Sequence, residues 1–237
     1  MPKILKKLNV LYCHGLGSSI NCRHATQLQA YFQQHKDVLF ERFVYKNPGS
    51  LDHVWNINEW RSDIEQRIGA NKEHWILMAT SGASHAALNI AKSQPDKVSA
   101  LFLMCPGTAL GLEFVEGIAP GTLQRLLETG FIEYPASRNG HPALLNVPSL
   151  EEYVKTDICA RNGPIEINCP VLIAHGERDN IVPIGNSVDL LSRITSNYKD
   201  FIRIPDADHY FNLDENIQKK LDTLLNAVRA NEQMAKL

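Results

Sequence analysis

Short runs of apolar residues alternate along most of the chain with longer segments of helical periodicity. The apolar runs predict strands at 8–13, 39–45, 74–79, 98–105, 171–174 and 201–204. The segments between them repeat apolar residues at helical spacing, which predicts helices at 23–34, 59–68, 83–91, 184–194 and from about 213. Strands that alternate with helices run parallel, and strands buried on both faces read as continuous apolar runs. The pattern therefore predicts an α/β fold with a mainly parallel sheet of about six strands flanked by helices.

The interval 107–168 breaks this alternation. It is rich in Gly and Pro, and its apolar patches have helical spacing; they contain Leu112, Phe114, Val115, Leu123, Leu126 and Leu127. An interval of this length between consecutive strands is too long for a simple crossover. We therefore expect a core formed by 1–106 and 169–237, with a cap inserted at 107–168. The alternative is a long loop whose helices pack into the core.

Composition and charge exclude several classes of protein. The 237 residues include 24 Lys+Arg and 26 Asp+Glu, a net charge of −2, so a basic face for nucleic acid is not expected. No apolar stretch is long enough to span a membrane, and no secretory signal peptide is visible. We accordingly expect a cytoplasmic protein, with unconventional export left open. The oligomeric state does not follow from the sequence.

Cysteines and histidines are the residues that could indicate a disulfide framework or a metal site. The five cysteines are an odd number without Cys-x-x-Cys spacing, which favours free, mostly buried thiols. The nine histidines show no ligand spacing at a candidate site, and five of them are scattered: His24, His35, His53, His74 and His141. Neither a metal nor a cofactor is therefore expected.

Polar residues follow four of the predicted strands. The segments are HGLGSS at 14–19, ATSGASH at 79–85, HGERD at 175–179 and DADH at 206–209. In open parallel sheets ligands bind at the carboxyl ends of the strands, where these segments lie. Ser81, Asp179 and His209 follow one another in the chain order of nucleophile-elbow hydrolases.

These motifs resemble those of the α/β-hydrolase superfamily over nearly the whole chain. HG at 14–15 is similar to the oxyanion loop, HGERDNIVP at 175–183 to the loop that carries the acid, and DH at 208–209 to the terminal histidine loop. EWRSDI at 59–64 and PIEINCP at 164–170 are similar to the palmitoyl-protein thioesterase and acyl-glucuronide esterase subgroup. The resemblance implies a cofactor-free serine hydrolase that cleaves a carboxylic ester or thioester in a small-molecule or acylated substrate.

The elbow departs from the family pattern Gly-x-Ser-x-Gly, because Ala79 and Ala83 replace the two glycines around Ser81. Small residues are needed there since the nucleophile lies on a tight strand-to-helix turn. Ser84 offers a second frame, GASHA. The apolar run ends at Ala79, which places Ser81 at the turn and Ser84 in the first helical turn. We expect Ser81 to be the nucleophile, with Ser84 as the alternative.

A serine hydroxyl becomes a strong nucleophile only when a base accepts its proton, and His209 is the expected base. Asp179 is expected to accept the other imidazole proton and orient the ring, with Asp206 as the alternative acid. The backbone N–H groups of Leu16 and Gly82 are the expected oxyanion donors.

The remaining candidates concern the substrate pocket and the loops around it. We expect His14 and His175 to brace active-site loops, and His85 either to pack or to contact substrate. The expected substrate-binding residues are His14, Gly15, Leu112, Phe114, Leu126 and Phe131, although the apolar ones could equally pack the cap onto the core. A non-catalytic binding protein on this fold, a C–C hydrolase and an acyltransferase are the alternative functions.

Overall fold

The computed structural model describes residues 7–234. The strands are β1 Leu8–Cys13, β2 Val38–Arg42, β3 Trp75–Thr80, β4 Val98–Met104, β5 Phe131–Tyr134, β6 Ala143–Asn146, β7 Val171–Gly176 and β8 Lys199–Ile204. The helices are α1 Arg23–Phe32, α2 Ile57–Gly69, α3 Ala83–Ser93, α4 Thr122–Thr129, α5 Val147–Thr156, α6 Ile184–Arg193 and α7 Glu215–Met234. No helix within this part of the chain combines the length and apolarity needed to cross a bilayer.

Six strands form one parallel sheet in the order β2-β1-β3-β4-β7-β8. This confirms the predicted fold class. The central strands β1, β3 and β7 are buried along their whole length, which explains their continuous apolar sequences. One core lies between the sheet and helices α1 and α7; the other lies between the opposite face and helices α2 and α3. Both faces are therefore covered, as the alternating pattern predicts.

Strand β2 ends earlier than the predicted 39–45, at Arg42. The apolar residues beyond it leave the sheet to pack in the core, where Tyr45 stacks on Trp60 with ring centroids 4.1 Å apart. Phe43 meets Tyr45 edge to face at 5.1 Å. An apolar run therefore continued past the strand because its last side chains belong to an aromatic cluster beside α2 rather than to the ladder.

The segment between β4 and β7 folds into structure of its own. It contains a 3₁₀ turn at Leu112–Gly117, helix α4, the antiparallel hairpin β5–β6, helix α5 and a second 3₁₀ turn at Ile158–Ala160. Asn146 begins α5 with a capping box formed with Ser149. The apolar patches predicted in this interval correspond to the first 3₁₀ turn and α4, whereas the hairpin and α5 were not predicted. The division into a core and a cap at 107–168 stays a prediction.

Candidate active site

Ser81 lies at the turn between β3 and α3, at the carboxyl edge of the sheet. Its φ of +53° is in the left-handed region, which a residue with a Cβ adopts only under strain. The backbone N–H of Ser81 donates to the carbonyl of Met104 at 3.0 Å, and that of Ser84 donates to the carbonyl of Ser81 at 2.9 Å. The turn thereby projects Ser81 above the sheet, where it is half-buried.

Close packing around Ser81 involves glycines outside the elbow itself. A Cβ on Gly15 would lie 2.9 Å from the Cβ of Ser81, and a Cβ on Gly107 would lie 3.0 Å from the backbone nitrogen of Gly82. Ala79 and Ala83, which replace the family's glycines, are both fully buried. The turn therefore has room because Gly15 and Gly107, on the two neighbouring loops, have no Cβ. Sequence reasoning did not identify Gly107.

Ser84 is in the first turn of α3 and is fully buried, with its hydroxyl donating to the carbonyl of Ala79 at 3.3 Å. The structure thus places Ser81 at the turn and Ser84 inside the helix. The nucleophilic role of Ser81 stays a prediction.

Asp179 and His209 are in direct contact. Nδ1 of His209 lies 2.6 Å from Oδ2 of Asp179, and the two side chains are 5% and 1% exposed. Because the carboxylate accepts, Nδ1 carries the proton and Nε2 of His209 is left free to accept one. Ser81 and His209 line the same cavity. The geometry therefore brings the three predicted triad residues to one site.

The carboxylate of Asp179 has three further partners. Its Oδ1 accepts from the backbone N–H groups of Ile181 and Val182 at 2.8 and 2.9 Å, and its Oδ2 lies 3.2 Å from Nε2 of His175. Burial would raise the pKa of this carboxyl, but the hydrogen bonds from His175, His209 and Val182 hold it far below its ordinary value. Asp179 is therefore ionised and fixed in place.

His175 has a defined tautomer. Its Nε2 lies 3.0 Å from the carbonyl of Val182, which can only accept, so Nε2 carries the proton. Nδ1 then accepts from the hydroxyl of Ser187 at 2.7 Å. His175 is fully buried and braces the loop that carries Asp179, in the position that the sequence predicts.

Asp206, the alternative acid, lies elsewhere. It forms an ion pair with Arg178, and the two side chains are 74% and 70% exposed. Such a pair contributes little to stability because solvent screens it. Within the described residues, the carboxylate that contacts the His209 ring is that of Asp179.

Two adjoining cavities meet at Ser81. The first, about 440 Å³ counted to its open mouth, is mostly apolar and is lined by Leu16, Trp55, Ser81, Gly82, Leu110, Phe114, Tyr134, Tyr153, Ile181 and Val182. The second, about 400 Å³, is lined by Gly15, Leu16, Ser18, Cys22, Arg23, His24, Thr80, Ser81, Tyr134, His209 and Tyr210. The two predicted oxyanion residues, Leu16 and Gly82, lie beside Ser81 in the first cavity.

The predicted substrate contacts divide into two groups. Gly15 and Phe114 line these cavities. Leu126 is fully buried in the core, Leu112 is half-buried against it, and Phe131 is 55% exposed, so none of these three lines either cavity. Leu112 and Leu126 take the packing role that the sequence left open as the alternative, whereas Phe131 is mostly exposed.

His14 supports the oxyanion loop from beneath. Its Nδ1 donates to the carbonyl of Gly15 at 3.0 Å, and its ring meets Tyr45 edge to face at 4.9 Å. Burial lowers its pKa to about 4, so the ring is neutral near neutral pH. His14 is 1% exposed and does not line either cavity, which places it behind the loop rather than against a substrate.

His24 and His85 are also buried. His24 packs on Phe211 with ring centroids 4.6 Å apart, and burial together with the nearby His209 lowers its pKa to about 3. His85 stacks on Tyr153 at 4.5 Å, and its Nε2 lies 3.0 Å from the Tyr153 carbonyl. Burial lowers the pKa of His85 as well. His85 therefore packs between α3 and α5.

Trp55, Tyr134 and Tyr153 line the first cavity, and sequence reasoning did not identify them. They come from the loop before α2, the hairpin and α5. The hydroxyl of Tyr153 donates to the carbonyl of Gly107, next to the turn that carries Ser81. No spacing in the sequence connects these residues to the strand ends, so only the fold reveals them.

Within residues 7–234, possible ligand atoms of Cys105, Asp179 and His209 lie within 4.8 Å of one another. Burial raises the pKa of the Cys105 thiol far above its ordinary value, so the sulfur stays protonated and is a poor metal ligand. Asp179 and His209 are already hydrogen-bonded to each other. The donor set therefore does not fit a metal ion. All five cysteines are free thiols.

Comparison with known sequences finds no family model that matches. The mitochondrial palmitoyl-protein thioesterase ABHD10 of Rattus norvegicus is 26% identical over 209 residues, covering 86% of this chain and 69% of that protein. The Homo sapiens protein of the same name is 27% identical over 188 residues and covers 77% of this chain. The chain spans only 61% of the human protein's length.

These relatives correct the expected location. All five curated relatives are named as mitochondrial proteins, so the cytoplasmic expectation is wrong. Mitochondrial import segments are amphipathic and basic, so the expectation drawn from an apolar secretory segment does not bear on import into mitochondria.

Solved structures agree on the fold. Mouse alpha/beta hydrolase domain-containing protein 10 has a TM-score of 0.69 at 22% identity and matches 96% of this chain and 90% of that one. A putative hydrolase from Agrobacterium vitis S4 has a TM-score of 0.74 at 19% identity, with 94% and 88% covered. Together with the curated relatives, these similarities confirm that the chain has the α/β-hydrolase fold and resembles the thioesterase subgroup, and that it is an enzyme, a hydrolase of the esterase or thioesterase type.

Proposed function

We propose that the chain hydrolyses acyl thioesters and esters through an acyl-enzyme formed on Ser81. His209 accepts the Ser81 proton through Nε2, Ser81 Oγ attacks the acyl carbonyl carbon, and a tetrahedral oxyanion forms. The oxyanion collapses as the thiolate or alkoxide leaves and takes the proton from His209. Water, activated by the same imidazole, then attacks the acyl-enzyme and releases the carboxylic acid. The observation that carries the proposal is the 2.6 Å contact between His209 and Asp179, beside the cavity that contains Ser81.

The Asp179 carboxylate and the backbone N–H groups near Ser81 are placed to stabilise the charges that this reaction develops. Asp179 is ionised and immobilised by its four partners, so it stabilises the imidazolium that forms on His209. The N–H of Gly82 lies at the N-terminus of α3, where the helix dipole favours negative charge. Gly82 and Leu16 can donate to the oxyanion without reorganising, which is the condition under which such donors accelerate acyl transfer.

In this proposal each of the two cavities holds one half of the substrate. The leaving group receives its proton from His209 and so must lie on the His209 side, in the second cavity. The acyl group then occupies the first cavity, which contains Ser81 and Gly82 but not His209. The apolar walls of the first cavity favour an acyl chain, because each buried methylene contributes about 0.8 kcal/mol. The second cavity contains Arg23 and Tyr210, which favours a polar leaving group.

The relatives named palmitoyl-protein thioesterase motivate the choice of a thioester. Acylated proteins and small acyl thioesters are both candidate substrates in this proposal. An acyl-chain-length series on one leaving group, together with one acylated peptide, separates them.

The decisive experiment is labelling with a fluorophosphonate probe, followed by hydrolysis assays. We expect the folded protein to be labelled on Ser81, and Ser81→Ala to lose labelling and at least 10⁴-fold in kcat/KM. Ser84→Ala is the matched control, since this serine lies three residues away inside α3, and it should keep both. Labelling that survives in Ser81→Ala, or equal rates for the two variants, would contradict the proposal.

A further inference from the structure

A third cavity, of about 650 Å³ counted to its open mouth, adjoins the two cavities that meet at Ser81. Leu16, Phe114, Tyr134 and Ile181 line both this cavity and the first one. The rest of its wall comes from the first 3₁₀ turn, the loop after β5 and the loop after β8: Gly117, Ile118, Pro135, Ala136, Ser137 and Tyr210. Most of these side chains are apolar or aromatic. The third cavity is therefore a groove that continues from the first cavity, between the first 3₁₀ turn and the loop after β5.

The first cavity has a closed inner end. Trp55, Tyr153 and Val182 line this cavity and are buried, whereas the four residues that it shares with the third cavity are all half-buried. The hydroxyl of Tyr153 lies 4.0 Å from the place that a Cβ on Gly82 would take, so this inner wall is directly beside the turn that carries Ser81. A long acyl chain attached to Ser81 can therefore continue only through the side that the two cavities share.

The third cavity is open at its outer end. Gly117, Pro135, Ala136 and Tyr210, which line it, are all exposed. An acyl chain that lies in this groove removes its methylenes from water and still has room for its far end at the surface. The groove therefore suits a long apolar chain, for which the first cavity has no depth.

We propose that the third cavity binds the distal carbons of long acyl chains, while the first cavity holds only the carbons next to the carbonyl. This inference rests on the proposed function, which places the acyl group in the first cavity. The acyl chain passes outward beside Phe114 and Tyr134, the two aromatic residues that the cavities share. Gly117 and Ala136, on opposite sides of the groove, are then specificity-determining positions outside the two cavities that contain Ser81.

The test fills the groove from each side with a tryptophan and compares acyl-chain lengths on one leaving group. Gly117→Trp and Ala136→Trp suit this purpose, because a Cβ on Gly117 would meet no atom within 4 Å and Ala136 is exposed. The substrates are p-nitrophenyl butanoate, octanoate and dodecanoate. We expect the wild-type kcat/KM to rise along this series, by up to about fourfold for each methylene that leaves water. Both variants should keep the butanoate rate and lose at least about tenfold on dodecanoate.

Gly69→Trp is the matched control, because a Cβ on Gly69 would also meet open space and this residue lines none of the three cavities. It should match the wild type on all three esters. A second series, of butyl, octyl and dodecyl acetate, lengthens the leaving group instead, and its rates should not change in Gly117→Trp or Ala136→Trp. Fluorophosphonate titration counts the active sites in every sample, so a partly unfolded variant does not distort the comparison.

Three results would overturn the inference while leaving the hydrolase proposal intact. They are a wild-type kcat/KM that does not rise from butanoate to dodecanoate, a chain-length preference that neither tryptophan changes, and a loss that falls on the long-chain acetates instead. The last result would assign the groove to the leaving group. Absence of both labelling and hydrolysis would reject the proposed function, and the inference with it.

Discussion

The carboxyl edge of the sheet and the segment between β4 and β7 contribute to the same site by different means. At the edge, polar groups are closely partnered: the Asp179 carboxylate alone contacts His175, His209 and two backbone N–H groups. The segment contributes mainly apolar walls through Leu110, Phe114 and Tyr153. The edge is therefore built to hold charge in a fixed geometry, and the segment is built to select a shape. If this division is correct, changes at the edge should alter turnover, and changes in the segment should alter substrate preference or stability.

The largest effect is expected at the edge, for Asp179→Asn. An amide in this position can donate to Nδ1 of His209 and stabilise the wrong tautomer, so kcat should fall by about 10⁴-fold. Asp206→Asn is the matched control, since Asp206 is exposed and pairs with Arg178 rather than with His209 within the described residues. Steady-state kinetics on one ester measures both variants. A loss in Asp206→Asn equal to that in Asp179→Asn would mean that the acid has been misassigned.

The next prediction separates two roles inside the segment. Leu126→Ala should lower the free energy of unfolding by about 2–5 kcal/mol, because Leu126 is fully buried and the cavity left behind cannot collapse completely. Phe114→Ala should instead change the acyl-chain-length preference, since Phe114 is only partly buried and lines the first cavity. Urea unfolding and a chain-length series measure the two quantities. If Leu126→Ala changes the chain-length preference as much as Phe114→Ala does, the two residues do not have separate packing and substrate-binding roles.

Gly15→Ala tests the tight packing around Ser81. The added Cβ would lie 2.9 Å from both the Cβ of Ser81 and the carbonyl oxygen of Thr80, so either the Ser81 turn or the loop that carries Gly15 must shift. A misplacement of this kind should lower kcat by about 10- to 100-fold, and because one of the two close atoms belongs to the backbone, the melting temperature should fall as well. Gly69→Ala, at the end of α2 where a Cβ would meet open space, serves as the control. Wild-type turnover in Gly15→Ala would show that the loop adjusts freely.

The smallest effect concerns stability against acid. Burial lowers the pKa of His14 to about 4 and that of His24 to about 3, from the ordinary 6.5. Between pH 6.5 and these values the unfolded chain binds protons that the folded chain excludes, so stability is greatest above pH 6.5 and decreases as the pH falls.

His24→Phe removes one of these groups and should make the loss between pH 7.5 and pH 5 smaller by about 1–2 kcal/mol. Urea unfolding at the two pH values measures the difference. Identical pH dependence for His24→Phe and wild type would mean that His24 takes up its proton without unfolding.

The edge and the segment also differ in how far the sequence predicts them. Ser81, Asp179 and His209 each follow an apolar run directly, so local order and the geometry of parallel sheets are enough to bring them to one edge. Trp55 and Tyr153 lie far apart in the chain and meet only when α5 packs near α2. Their place in a cavity wall depends on tertiary packing, which has no local signature.

The glycines around Ser81 also show how far the sequence predicts the site. The family pattern directs attention to the positions of Ala79 and Ala83, whereas the close contacts with the turn come from Gly15 and Gly107. Gly107 belongs to the loop after β4, and nothing in its neighbouring sequence shows that it faces the backbone of Gly82. The parallel pairing of β3 with β4 creates this contact, with Thr80 opposite Met104.

The positive φ values at Ser81 and Cys105, +53° and +44°, have a consequence for selection. A side chain in this region costs about 1–2 kcal/mol, which glycine would not incur. Ser81→Gly is therefore a route to a more heat-resistant protein, and it removes the proposed nucleophile. A directed-evolution campaign that scores only thermal survival would be drawn toward an inert protein. Screens on this scaffold should therefore score turnover in every round.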